Sequence, residues 1–193
     1  MAKVSLPEEA VRYDIANNLG VLLDEKKGKY EEAKVFSLAG LEGRRRVLGE
    51  EHMKTLTSMN NLGALPHDMG DFTSSLDYKV QALRVQEKVL GKTHPDTLMT
   101  IMNMAVTYED GLKDFTKAER MFRQALDGYE RSLGKGHGYT KLCAKNLVIL
   151  LAGKLKDKEK TREHVKEYPH LLNERWGLRN ISVGDAIKRF IGV

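Results

Sequence analysis

Residues 90–132 read LGKTHPDTLMTIMNMAVTYEDGLKDFTKAERMFRQALDGYERS, and two helical patterns lie in this stretch. Leu98, Ile101, Met102, Ala105 and Tyr108 recur at steps of three and four, which puts them on one face of an α-helix. Phe115, Ala118, Phe122, Ala125, Leu126, Tyr129 and Leu133 do the same further on. Between them Glu109-Asp110-Gly111-Leu112-Lys113-Asp114 interrupts the pattern, and the Asp114 carboxylate can accept from the free N–H groups that open the second helix. A lone helical hairpin cannot bury both of its apolar faces, so it needs neighbours of the same kind.

Working outward, the neighbours are present. Leu48-Gly49 precedes Leu90-Gly91 by 42 residues and Leu133-Gly134 follows by 43; His52, His94 and His137 keep that spacing, as do Asn61, Asn103 and Asn146. Asn18 lies a further 43 residues upstream of Asn61. The mid-repeat turn recurs as Gly28-Lys29-Tyr30 and Gly70-Asp71-Phe72, and Ala33, Ser75 and Ala118 each stand three residues past the aromatic. Several residue types agreeing on one period specify a repeat array.

The period alone also suits HEAT or armadillo helices and WD40 blades. Blades require an apolar period of two, and neither HEAT nor armadillo repeats need a Gly-x-aromatic-x-x-Ala turn at a fixed place. Asn-Leu-Gly, then Gly-Lys-Tyr-x-x-Ala, then a long helix ending Val-Leu-Gly resembles the tetratricopeptide repeats of kinesin light chains, as does the LGxxHPDT junction at Leu90–Thr97. The resemblance covers residues 15–149. It implies an all-α, right-handed superhelical solenoid of about four hairpins and a protein-interaction role.

The repeats are expected at 1–47, 48–89, 90–132 and 133–168, with a C-terminal cap over 169–193 that includes a short helix near 184–191. Pro66 should end the first helix of the second copy early, since proline removes a helical hydrogen bond and biases Leu65 away from the α region. The turn of that copy is also one residue shorter: Asn61 to Phe72 spans 11 residues, Asn103 to Phe115 spans 12. Gly40 and Gly43 each weaken their helix by about 1 kcal/mol relative to alanine. In the fourth copy, Glu159–Arg162 and Glu163–Lys166 are spaced to pair along a helix whose outer face meets water. Trp176 and Phe190 are expected to pack on the last hairpin.

Charge argues against nucleic acid as the main partner. Residues 1–152 hold 22 Lys/Arg and 21 Asp/Glu, so the net charge of +5 sits almost wholly in the tail. The run Arg44-Arg45-Arg46 closes a helix, where cations complement the dipole. One cysteine, Cys143, excludes an internal disulfide framework and suits a reducing compartment. No apolar stretch is long enough to insert in a membrane, and the start lacks the apolar run of a signal peptide. Together these predict a cytoplasmic protein.

No catalytic pattern accompanies the array. Gly91-Lys92-Thr93 ends like a phosphate loop, but Gln86 stands at the required first glycine and a helix precedes it. The three histidines fall a repeat apart, which suits starting a helix and not sharing one metal. The chain is read as non-enzymatic, with no cofactor.

The polar residues that stand out are Asn18, Asn61, Asn103 and Asn146. The resemblance implies that the first helix of each hairpin lines a concave groove, where such an asparagine contacts a bound peptide. On that basis the floor would comprise Asn17, Asn18, Asn60, Asn61, Met102, Asn103, Lys145 and Asn146, the amides offering donors and acceptors to an extended backbone. A second role is open to the same amides, that of bonding neighbouring helices and fixing the stacking. The expected function is an adaptor or scaffold that binds an extended segment of another protein; the alternative is a structural subunit held in a larger assembly.

Overall fold

The computed structural model describes residues 11–16, 18–20 and 29–169. They are helical apart from short connections, with no strand among them. Residues 11–16 and 18–20 are helical and are called α1. Then come α2 (Tyr30–Leu48), α3 (Met53–Asp68), α4 (Phe72–Val89), α5 (Pro95–Thr107), α6 (Phe115–Leu133), α7 (Gly138–Ile149) and α8 (Lys158–Glu167). They fall into two compact units that divide between Lys92 and Thr93. The expected C-terminal cap, with Trp176 and Phe190, lies outside the described residues.

The recurring Leu-Gly-x-x-His motif is a stop and a start. Gly49 and Gly134 adopt φ of 89° and 82°, a region that L side chains rarely enter, and each ends a long helix. His52, His94 and His137 then cap the next helix, each Nδ1 accepting from the N–H two residues on at 3.2 Å. Thr55 and Thr140, three residues after the histidine, donate back to the Gly49 and Gly134 carbonyls at 2.8 Å. Within the hairpins aspartate takes over: Asp71, Asp114 and Asp157 accept from Ser74, Lys117 and Lys160 N–H at 3.0–3.1 Å. Both kinds of cap satisfy N–H groups that a helix start leaves unpaired.

Two expectations about the turns are corrected. The helix does not end early at Pro66: α3 runs to Asp68. Proline so near the end removes a single bond, while Met69 N–H still reaches the Leu65 carbonyl at 3.1 Å and burial of Leu62 and Leu65 holds the turn. Nor does Glu109–Leu112 break the helix, because α5 continues through a π-helical turn, Tyr108–Leu112. A second π-turn, Leu150–Leu155, follows α7. A π-turn accommodates one added residue, and the turn after α3, one residue shorter, has none. Each π-turn closes on a left-handed lysine, Lys113 (φ 55°) or Lys156 (φ 53°), where the second copy has Gly70.

In the first unit Ala33, Leu41, Leu56, Met59, Leu62, Leu65 and Ala82 form the core, with Tyr30, Leu38, Tyr78, Val85 and Leu90 packed around it. In the second, α5 packs on α6 and α6 on α7, burying Leu98, Ile101, Phe122, Tyr129, Leu147 and Leu150. The small residues three past each aromatic, Ala33, Ser75 and Ala118, are all fully buried, and Ser75 Oγ donates to the Gly63 carbonyl at 2.7 Å. Gly43 has a packing reason for standing inside a helix: a Cβ there would come within 2.0 Å of the Tyr13 ring.

Arg44 does more than complement a dipole. Buried, it donates through Nε and Nη2 to Asp14 Oδ1 at 3.1 and 2.7 Å, and through Nη1 to the Lys54 carbonyl and Ser58 Oγ at 3.1 and 2.6 Å. One guanidinium thus joins α1, α2 and α3 with its charge paired and four of its five donors used, close to the condition under which a buried ion is tolerated. Arg45 pairs with Glu42 and Glu50, and Arg46 with the Tyr13 hydroxyl, so the basic run is tied into the fold. On α8 the ion pairs also differ from those expected along the helix: Lys160 reaches Glu119 of α6 at 3.1 Å and Glu167 pairs with Lys135.

Candidate functional site

The helices α3, α5 and α7, each the first of its hairpin, keep one stripe accessible. On α5 the buried residues include Leu98, Thr100, Ile101, Met102, Met104 and Ala105, leaving Met99, Asn103 and Val106 partly exposed. Those three are spaced by four and three, so they form one face. The same register gives Thr57, Asn61 and Ala64 on α3, and Leu142, Asn146 and Ile149 on α7, all at least partly exposed. In each case an asparagine is flanked one turn away on both sides. The flanks are Thr and Ala in the first unit and four apolar residues in the second.

Of the residues singled out from the sequence, Asn60, Asn61, Asn103, Lys145 and Asn146 are partly exposed and Asn18 is exposed. Met102 is 3% exposed and belongs to the core. One step along a helix turns the side chain by about 100°, so the neighbour of Asn103 in sequence is not its neighbour on the face. Asn17 lies outside the described residues. In the first unit Asn60 and Asn61 share α3, with Asn18 on α1; in the second, Asn103 stands on α5 and Lys145 and Asn146 on α7. Met99, Val106, Leu142 and Ile149 were not singled out, although offsets of minus four and plus three from each asparagine would have found them.

The electrostatics of the stripe are mild. Among the described residues, neither the Asn61 nor the Asn146 side chain has a hydrogen-bond partner. Asp14, one turn before Asn18, is bonded by Lys54 and Arg44, which hold its carboxyl below the ordinary range. Two buried titratable groups lie off the stripe. Lys79 of α4 is pushed down to about 8 by burial, partly offset by Asp68. The Cys143 thiol, pushed up by burial to about 12, lies 3.4 Å from the Phe122 carbonyl and is inert as a nucleophile. Among the described residues no group of His, Cys, Asp or Glu is arranged to hold a metal ion, and no helix is long and apolar enough to cross a membrane.

Residues 12–85 and 63–131 each match the tetratricopeptide repeat family model. A clustered mitochondria protein homolog of Aspergillus niger is 28% identical over 114 residues, 59% of this chain and 9% of that protein. The Homo sapiens homolog is 32% identical over 60 residues, 31% of this chain and 5% of that protein. The chain thus matches less than a tenth of the length of these relatives. Among solved structures, a Podosopora anserina protein described as kinesin light chain-type, with nearly identical TPR-like repeats, superposes with a TM-score of 0.74 at 15% identity, covering 95% of this chain and 88% of that one. BtubC (BKLC) from P. vanneervenii gives a TM-score of 0.69 at 14% identity, covering 98% of this chain and 85% of that one. These likenesses concern the fold.

Proposed function

We propose, for a chain that belongs to the tetratricopeptide-repeat family, a non-catalytic adaptor or scaffold whose first helices bind an extended segment of another protein. Repeats of this family generally mediate protein–protein interaction. The observation that carries the finer reading is the register of Asn61, Asn103 and Asn146, each at the middle of an accessible stripe. An amide there can donate to and accept from a peptide backbone, while the residues one turn away offer surface to its side chains. Asn61 and Asn146, lacking bonds to other described residues, support this role over that of fixing the stacking. The cytoplasm suits such a chain, whose single thiol is buried.

Asn103→Ala combined with Asn146→Ala tests the reading within one unit. Each lost hydrogen bond is worth about 0.5–1.5 kcal/mol, so the pair should weaken binding by roughly five- to a hundredfold. The immobilised chain first captures its protein partner, and the affinity of that partner is then compared for both forms beside their melting temperatures. A double variant that melts much earlier yet binds normally while folded assigns these amides to stacking.

A further inference from the structure

We propose that Glu109 and Asp110, at the end of the α5 stripe, receive an arginine or lysine side chain of the bound segment. The inference rests on the peptide-binding role of that stripe and gives its occupant a charge. Glu109 lies three residues past Val106 and Asp110 four, so both stand one turn beyond the last member of Met99, Asn103 and Val106. They belong to the π-turn Tyr108–Leu112, a distortion often found at functional sites.

Glu109 is 8% exposed, yet among the described residues its carboxylate has neither a hydrogen bond nor an ion pair. The exposed Asp110 carboxylate beside it has none either. An ionised carboxylate buried without a partner is costly, and the cost is relieved when a cation arrives. The nearby cations do not close the place. Lys113 donates to the Asp110 carbonyl, Lys117 lies over the Tyr108 ring, and Lys154 forms no ion pair with either carboxylate. Burial and the Asp110 charge raise the Glu109 carboxyl, while Lys154 and Lys113 act the other way. At the same two places α3 has His67 and Asp68, which bond each other at 3.2 Å. After α7 they are Ala152 and Gly153, without charge.

The chemistry selects a basic side chain. A divalent metal ion takes about six or more oxygen ligands, and among the described residues no group of His, Cys, Asp or Glu is arranged to hold one. A guanidinium or ammonium needs only acceptors of opposite charge, which two adjacent carboxylates supply. Asp110 lies about 10 Å beyond Asn103 along the helix. About three residues of extended chain cover that distance. The occupant is therefore a segment whose Arg or Lys falls within about three positions of the residue bonded by Asn103, with an apolar side chain between them on Val106.

Random peptides displayed on phage and selected on the immobilised full chain test the assignment. The wild type should enrich peptides with Arg or Lys at a fixed distance from an apolar residue, and Asp110→Lys should enrich Asp or Glu there instead. One enriched peptide, titrated by calorimetry, should bind Glu109→Gln at least about tenfold more weakly. Replacing the basic residue of that peptide by alanine should then cost the variant little more. Unbound Glu109→Gln should melt no earlier than the wild type, because it loses an unpaired buried charge; a purely structural role would not spare stability while weakening binding. Enriched peptides that depend on Asn103 and Asn146 but lack a basic residue, or bind both acid variants as well as the wild type, overturn this assignment alone. Earlier melting of Glu109→Gln with unchanged binding overturns it too. No enrichment, or peptides indifferent to Asn103→Ala and Asn146→Ala, overturns the role of the stripe and this inference with it.

Discussion

Lys79 of α4 lies over Gly63 of α3 so closely that a Cβ on the glycine would come within 2.9 Å of the lysine Cγ. At the same two positions the later hairpins pair Ala105 with Phe122 and Val148 with Val165, all buried. The first unit therefore fills an aromatic-sized core position with a lysine stem and removes the facing side chain to make room. Burial is the larger influence on its ammonium, pushing it down to about 8 from 10.5, and Asp68 acts the other way.

Lys79→Met should stabilise the protein by about 1–3 kcal/mol at neutral pH, at 1.36 kcal/mol per pKa unit. The unfolded chain holds this proton up to about pH 10.5 and the folded chain only to about 8. Wild-type stability should accordingly rise with pH between those values, and the advantage of Lys79→Met should shrink. Urea midpoints measured at pH 7, 8 and 9.5 check both statements; an equal difference at all three would show that Lys79 titrates normally.

Gly128 of α6 faces Leu98, and an added Cβ would come within 2.4 Å of Leu98 Cδ2. Gly128→Ala should lower stability by about 1–3 kcal/mol through overpacking, reversing the usual helix gain of about 1 kcal/mol. Gly153, with open space around it, is the control: Gly153→Ala should be neutral or stabilising. Thermal melts of the two variants suffice, and a stabilised Gly128→Ala would show that Leu98 can step aside.

Lys113 and Lys156 close the two π-turns in the left-handed region, at a cost of roughly 1–2 kcal/mol for an L side chain. Lys113→Gly and Lys156→Gly should each stabilise by about 0.5–1 kcal/mol, less than the full relief because glycine also loosens the unfolded chain. Gly70→Ala, at the equivalent place and also at positive φ (82°), should do the reverse. Chemical denaturation reads all three, and a destabilised Lys113→Gly would show that the bond from its ammonium to the Asp110 carbonyl matters more than the backbone.

His164 is buried between α7 and α8, with Nε2 at 2.9 Å from the Ala144 carbonyl and its ring 5.0 Å from that of Tyr168. Burial lowers its pKa chiefly; the bond to Ala144 and Glu167 raise it, and Arg123 lowers it further. With the folded value below the unfolded 6.5, the unfolded chain binds the proton first, so this site's contribution is full above pH 6.5 and is lost as pH falls. His164→Gln should flatten that slope between pH 7 and 5. Melting temperatures that fall equally in variant and wild type would place the sensitivity elsewhere.

What the sequence determined was whatever repeats. Spacing of 42 and 43 residues announced the hairpins, and Asp114 and the three histidines took the capping places their positions suggested. The single-residue difference between repeats was legible too, and the fold turned it into a π-turn. These are local signals, decided by φ/ψ, caps and periodicity within a few residues. Tertiary structure alone decided the rest. Arg44 looked like a helix-end cation and proved to be a buried link among three helices, because its carboxylate, Asp14, lies 30 residues away. Met102 looked like a neighbour of Asn103 and faces the core, because helical rotation and the packing of α6 choose which face stays open. Gly43 read as a weak point in its helix, yet it is the place where another side chain crosses, as Gly63 and Gly128 are too. Which residues share space is a property of packed helices, and a period can only count along one chain.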